Sequence, residues 1–280
     1  MATSRTTRYG WPASVPPLAR SPAGASASYR EWAAHPALSA SIRCVWVSEG
    51  QDQSAPPQDR VLPDGCIDIV WDGVSLFVAG PDTGPVSLAS SPGKFYAGIR
   101  FRPGRAHQFF DVPAWELVDQ RVPLAELWGK GKSERSIKRL QDATSPPAAA
   151  HIIENDLLAF CSAIGSSDPV VDALVLQLDD WNHRAAGPSP PRVADISRRI
   201  GVSDRELLRR CRAAVGYGPK TLDRILRFQR AWSLAATRTT LAELALDCGY
   251  ADQAHLAREC QRLAGLTPSV LFKTADNRRS

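Results

Sequence analysis

The 280-residue sequence predicts an α+β multidomain protein. It should have a β-rich N-terminal domain, a helical connecting region, and an all-α C-terminal domain of two helix, turn, helix units joined by a long helix. Three observations predict this. Short β-prone runs separated by turn signals fill the first half. Apolar spacing of three and four takes over from about residue 131. One residue pattern occurs twice after Pro191. The 44% hydrophobic and 22% charged content is ordinary for a chain that buries a sizeable core.

Residues 1–28, rich in Ser, Ala, Pro and Arg without apolar periodicity, are expected to be a disordered leader. Residues 29–130 form the β-rich domain, expected to sense or to dimerise. Its candidate strands are residues 42–47, 67–71, 74–78 and 95–101. They are separated by turns at Pro63-Asp64-Gly65, Asp72-Gly73, Gly80-Pro81-Asp82 and Pro103-Gly104. A short helix is expected after Val112, with Pro113 in its first turn. Residues 131–186 are the helical connecting region. Ile137/Leu140, Ile152/Ile153/Leu157/Leu158 and Val171/Leu174/Val175/Leu178 mark its apolar faces. Residues 184–192, with Gly187, Pro188, Pro190 and Pro191, read as a linker into the C-terminal domain of residues 187–280.

Several classes are disfavoured. No run of eighteen apolar residues exists, so no membrane span or membrane partner is expected. The basic N-terminus (Arg5, Arg8) lacks the apolar stretch of a secretory signal, which points to the cytoplasm. Cys44, Cys66, Cys161, Cys211, Cys248 and Cys260 have neither zinc-ribbon nor redox-pair spacing, and the five histidines add no ligand pattern. Neither metal nor cofactor is expected. Charge is unevenly distributed. Residues 192–280 hold 17 Lys/Arg against 9 Asp/Glu, a net of +8, which leaves 17 against 20, a net of −3, in the first 191. Only one end is therefore expected to meet a polyanion.

The duplication begins at Val193-Ala-Asp-Ile-Ser-Arg-Arg-Ile-Gly201 and recurs at Leu241-Ala-Glu-Leu-Ala-Leu-Asp-Cys-Gly249. Beyond the glycines, Ser203 maps to Asp252, Leu207 to Leu256, Arg209 to Arg258, Cys211 to Cys260, Gly216 to Gly265 and Pro219 to Pro268. Each copy fits a helix, tight turn, helix. Thr240 with Glu243 reads as a capping box. Gly201 and Gly249 suit a left-handed helix end. Ser203 is expected to cap the next helix with Glu206 reaching back, and Asp252 caps its counterpart. Leu207/Cys211 and Leu256/Cys260, four apart, should face the core. Arg205, Leu208, Arg209 and Arg212 are then left outward in copy one, and Gln253, Ala254, His255 and Arg258 in copy two.

That geometry is the helix-turn-helix, whose second helix enters the major groove of double-stranded DNA. Arginine suits guanine O6/N7 and glutamine suits adenine N6/N7. The plainer reading of Arg205, Arg209 and Arg258 is a solvated charge; their place in a capped, duplicated unit favours base contact. For His255 base and phosphate contacts are equally supported. Between the copies, residues 219 to about 236 predict a helix. Its sticky face is Leu222, Ile225, Leu226, Gln229 and Trp232, and its basic face is Arg224, Arg227 and Arg230. A connector of roughly 25 Å can hold two reading helices about one DNA turn, on the order of 34 Å, apart. Arg198, Arg199, Arg224 and Arg227 are candidate phosphate contacts, each equally readable as surface charge.

The stretch from Ala194-Asp-Ile-Ser through Gly216-Tyr-Gly-Pro219, and Cys248-Gly-Tyr-Ala-Asp-Gln through Gly265-Leu-Thr-Pro268, resembles the AraC/XylS family of bacterial transcription regulators. The resemblance covers about ninety residues and implies two helix-turn-helix units, joined by a long helix, that regulate transcription through RNA polymerase. It places the base-reading positions on Arg205, Leu208 and Arg209, and on Gln253, Ala254, His255 and Arg258. Cys211 and Cys260 depart from the family, which usually has phenylalanine there, and Leu208 is unusual at a base-facing position. The segments 61–68, 80–83, 98–104 and 121–128 look like an N-terminal domain of one branch of these regulators. A small-molecule effector and a second copy of the chain are further candidate partners.

Two other features compete. Arg100 and Arg102 flank Phe101 and should share one strand face, either lining a pocket for an anionic effector or lying exposed. Asp64, Cys66 and Asp68, with His107 as base, suggest a thiol-dependent enzyme or repair protein fused to a DNA-binding module. A Pro-Asp-Gly turn entering a buried strand explains the first three without chemistry, so no catalytic residue and no enzyme is expected.

Overall fold

A computed structural model of the chain describes residues 27–50, 60–87, 93–159, 167–183, 190–238 and 240–276. The expected leader falls almost wholly outside them, as do Cys161 and most of the linker at 184–192. The strands are β1 Ala27–Trp32, β2 Ile42–Gly50, β3 Arg60–Val61, β4 Asp68–Trp71, β5 Leu76–Ala79, β6 Val86–Ser87, β7 Phe95–Phe101 and β8 Arg121–Pro123. Six form one antiparallel sheet in the order β1-β2-β7-β4-β5-β8, while β3 pairs with β6. β2, β4, β5 and β7 are the four expected strands. β3, β6 and β8 are too short to show an alternation, and β1 is set by its pairing with β2.

Alternation along these strands gives the sheet two faces. Val45, Val47, Ile69, Trp71, Val78, Ile99 and Phe101 pack into the N-terminal core. Cys44, Trp46 and Val70 face the other way, with Phe77, Ala79 and Tyr96 beside them. Gly98 stands opposite Trp46 in the register, and a Cβ there would lie 2.6 Å from the indole, so only glycine leaves the ring its place. The expected helix after Val112 is a single 3-10 turn, Ala114–Leu117. Pro113 is its extended N-cap rather than part of its first turn, and Val118 returns to extended backbone, leaving four residues between.

The connecting region divides between two cores. α1 Leu124–Trp128, α2 Lys130–Gln141 and α3 Pro146–Leu158 complete the first. Ala149 and Ala150 let α3 lie close on the sheet, and Ile153 and Leu157 bury beside them. α4 Pro169–His183 belongs to the second core, through Val171, Leu174, Val175 and Leu178. That core is shared by α5 Val193–Ile200, α6 Asp204–Val215, α7 Pro219–Leu234, α8 Leu241–Asp247, α9 Gln253–Ala264 and α10 Pro268–Asp276. A 3-10 turn, Ala235–Thr237, carries α7 to its expected end, and the whole expected sticky face of α7 is buried. Leu62, from the segment after β3, is buried in this second core, a contact worth roughly 2 kcal/mol for a leucine removed from water.

Candidate nucleic-acid interface

The two repeated units fold as helix, turn, helix from local signals. Gly201 ends α5 at φ +80°, in the left-handed region, and Gly249 follows α8 at φ +71°. Thr240 and Glu243 form the full capping box of α8. Asp252 Oδ1 accepts from the His255 amide at 2.6 Å and opens α9. Ser203 Oγ accepts from the Glu206 amide at 3.2 Å and opens α6. The reciprocal half of that cap is not made, a correction to the sequence reading. The Glu206 carboxylate is taken by Arg209, at 2.8 and 2.7 Å, and by Arg210 at 2.6 Å. Guanidinium contacts of this kind are charge-assisted and outcompete one amide. They hold the Glu206 carboxyl down at about 2, with the Arg209 hydrogen bonds the larger cause.

Leu207, Cys211, Leu256 and Cys260 point into the core with no exposed surface. Burial pushes the Cys211 and Cys260 thiols up to about 12, so both act as small neutral packing groups where a ring is usual. The opposite faces are open. Arg205, Leu208, Arg209 and Arg212 are exposed on α6, and Gln253, Ala254 and Arg258 on α9. Arg205 and Arg258 have no ion pair among the described residues, whereas Arg209 is clipped to Glu206. His255 is half-buried, its ring edge-on to Tyr250 at 5.2 Å, so it also closes the second unit.

The phosphate candidates separate into two pairs. Arg198 and Arg199 are exposed on α5, Arg198 bonded to Asp195. Arg224 and Arg227 are turned inward. Arg224 Nε reaches Glu259 Oε2 at 3.0 Å and ties α7 to α9. Arg227 bonds Asp223 at 2.5 Å and the Gly249 carbonyl at 3.2 Å, with its guanidinium over the Tyr250 ring. Arg230, expected on the same basic face, is 4% exposed. It donates to the carbonyls of Trp181, Asn182 and Asp247 at 3.0, 2.9 and 3.1 Å. The three arginines of the expected basic face are therefore engaged within the domain, while Lys220 at the start of α7 is exposed. Helices α4, α5, α6, α8 and α9 all pack around it, and its arginines satisfy carbonyls left open where α4 and α8 end.

Arg100 and Arg102 are taken by different partners. Arg100, directly opposite Asp68 in the β4–β7 register, is buried and bonds that carboxylate at 3.1 and 3.0 Å, with Asp64 at 3.2 Å. Arg102 lies past the end of β7, where its Nε donates to the Ser39 carbonyl. Arg100 is thus neither an exposed charge nor half of an anion-binding pair.

Residues 196–274 match a family described as a helix-turn-helix domain, and residues 30–123 match a domain of unknown function, DUF6597. The C-terminal part of the chain is an AraC-type helix-turn-helix domain. That domain makes the chain a DNA-binding transcription regulator. No curated protein matches the sequence. Solved structures of ToxT from Vibrio cholerae are similar at low identity. The O395 protein shares 12% identity over 74% of this chain and 85% of its own, with a TM-score of 0.38. ToxT bound to unsaturated fatty acid shares 11% over 89% and 94%, with a TM-score of 0.39. ToxT bound to (E)-4-(8-methylnaphthalen-1-yl)but-3-enoic acid shares 10% over 89% and 99%, with a TM-score of 0.41. Likeness at this level carries no argument about function. No described helix is long and apolar enough to cross a membrane.

The N-terminal domain holds the AraC-type domain at the far ends of both candidate reading helices. Gly216 and Gly265, equivalent in the repeat, end α6 and α9. A Cβ on Gly216 would meet Pro81 and Val118 at 2.8 Å, and one on Gly265 would lie 3.6 Å from Pro85. Arg60 Nη1 donates to the Ala264 carbonyl at the C-terminus of α9, at 2.8 Å. A cation is favourable there because the helix dipole ends negative. Gln229 of α7 donates to the Pro63 carbonyl at 2.6 Å, and a buried Arg105–Asp172 pair at 2.9 Å joins the N-terminal domain to α4. Sequence reasoning passes over Arg60, Pro81, Pro85 and Arg105. Their partners lie more than a hundred residues away or in the other domain, and no local pattern marks them.

Proposed function

We propose that this chain is a sequence-specific transcription regulator that reads two successive major-groove segments, one with α6 and one with α9. The observation that carries the reading is the match between the two units. Each reading helix is N-capped, buries its leucine and cysteine, and leaves its facing side chains exposed, His255 by half. Arg205 and Arg258 are free of ion pairs among the described residues and suit guanine; Gln253 suits adenine, and Leu208 and Ala254 suit a thymine methyl. Arg198 and Arg199 remain as phosphate contacts; Arg224 and Arg227 serve inside the domain.

The test is a gel-shift series on the chain's own upstream DNA over rising salt. Specific binding weakens steeply as counterions are released. Arg258→Ala removes discrimination between the specific site and random DNA, at about 1–3 kcal/mol. Equal loss on both DNAs overturns its assigned role. The thiol-enzyme alternative finds no support at Cys66. Burial, then the Asp64 carboxylate, pushes that thiol well above its ordinary value, the reverse of what a thiolate nucleophile needs.

A further inference from the structure

The second face of the large sheet closes over a cavity of about 60 Å³. Trp46, Phe77 and Tyr96 supply aromatic wall, and three carboxylates and two guanidinium groups also line it. Four of these charges form complete pairs. Arg100 is bidentate on Asp68, and Arg121 is bidentate on Asp82 at 2.9 and 2.8 Å. Asp64 is the surplus. Its Oδ1 accepts from the Cys66 amide at 2.9 Å and its Oδ2 reaches Arg100 Nη1 at 3.2 Å, but Asp68 already balances that arginine. The five lining charges therefore sum to −1, and Asp64 shares its one guanidinium partner with Asp68.

We propose that this cavity binds a compact organic cation, an alkylammonium or guanidinium ion, with its charge against Asp64 and its apolar part against Trp46 and Tyr96. A space of this size takes roughly four waters, or a ligand of about that many heavy atoms. Aromatic faces attract such cations through their quadrupole. An anion would have to displace a carboxylate from one of the two arginines. A metal ion fits poorly, because no group of three or more His, Cys, Asp or Glu among the described residues is gathered to hold one.

The cavity wall is also the surface that holds the AraC-type domain. Leu62, Pro63, Asp64 and Cys66 line the cavity; Leu62 is buried in the second core and Pro63 accepts from Gln229 of α7. Gly65, in the same segment, lies against Leu222 and Tyr217, where a Cβ would be 3.2 and 3.6 Å away. Gly80 and Asp82 line the cavity on either side of Pro81, which touches the end of α6 at Gly216. Occupancy therefore bears on α6 and α7 through two short segments. This regulatory consequence rests on the DNA-reading proposal; cation binding does not.

Thermal unfolding of the full chain without DNA tests the site. The probes are ethylammonium, propylammonium and methylguanidinium chlorides, at ionic strength matched with sodium chloride. Propionate is the anionic control and propanol the neutral one. Cations raise Tm saturably, since only the folded chain binds them, and the two controls do not. Asp64→Asn weakens the response by about tenfold, as loss of a charge-assisted contact does. A rise no greater than that from sodium chloride, an equal rise with propanol, or an undiminished response in folded Asp64→Asn overturns the site. If Asp64→Asn does not fold, Ala79→Leu decides. It fills the cavity from β5 and leaves every charged residue in place, and a full response in that folded variant also overturns it. Gel shifts with and without ethylammonium then read the coupling, expected as an affinity change of about fivefold or more. A Tm response with unchanged DNA affinity overturns the coupling alone. A Tm response in a chain that never binds DNA specifically supports the site and overturns the DNA reading.

Discussion

Helices α6 and α7 are neighbours rich in arginine, and they use it in opposite ways. On α6, Arg205, Arg209 and Arg212 stand in solvent around one exposed leucine. On α7, Arg224, Arg227 and Arg230 are drawn into the domain, to a carboxylate on α9, to the turn after α8, and to the end of α4. The difference is neighbourhood. α6 has one flank with nothing packed on it, while α7 is surrounded by five helices and its long side chains reach the carbonyls those helices leave open. An arginine-rich helix can thus offer its guanidinium groups to a partner only where tertiary packing leaves it a free side.

The sharpest test of that contrast is Arg230→Met. It leaves three carbonyls, one buried and two part-buried, without their donor, and urea unfolding should show a loss of about 3 kcal/mol. Arg205→Ala, on the open flank, should stay within about 0.5 kcal/mol of wild type in the same assay. Comparable losses for the two would erase the distinction. Arg227→Ala is the next test. We expect about 1–2 kcal/mol of lost stability from its broken buried bonds, with no change in the salt slope of DNA binding. A slope shallower by about one would restore Arg227 as a phosphate contact.

Glu206→Gln probes the ion pair on α6 itself. Freed from the carboxylate, Arg209 becomes available to phosphate, and the salt slope should steepen by about one. The sign of the pH dependence follows from the depressed Glu206 carboxyl, held at about 2. Its contribution is present above the ordinary glutamate value and lost only as pH falls through the folded one. With His255 replaced by Gln, so that no imidazole gains charge on the reading face, the slope should therefore be flat between about pH 5 and pH 8, and a slope that steepens near pH 5 would show that Glu206 is not the clip. The smallest effect belongs to Arg60→Ala. It removes a cation from the end of α9, worth about 0.3–1 kcal/mol. Gel shifts on sites with one base pair added between the two half-sites should show the variant discriminating spacing less than wild type does. Unchanged discrimination would mean that the N-terminal domain does not set the distance between the reading helices.

Much of the second domain could be read from residues alone, because its signals are local. Caps at Thr240 and Asp252, left-handed glycines at 201 and 249, and leucine–cysteine pairs four apart all act within one or two turns of backbone. The half-made cap at Ser203 was less transparent, since Glu206 had arginines three and four residues ahead competing for it. In the first domain β1 is set by its pairing with β2, whereas β2, β4, β5 and β7 announced themselves as β-prone runs between turn signals. β3, β6 and β8 did not, because two or three residues show no period and such strands form only where a partner is supplied.

By itself, then, the sequence determined the four central strands, the duplicated unit and which side of each candidate reading helix is apolar, since propensity, capping and periodicity are properties of neighbouring residues. Tertiary structure alone decided that Arg230 is internal, that Arg100 answers Asp68 and Asp64, that α3 and α4 belong to different cores, and that one platform holds the ends of α6 and α9. Those outcomes depend on which surfaces meet in space. A charge that looks solvated along the chain becomes structural when the nearest open carbonyl or carboxylate lies on another element.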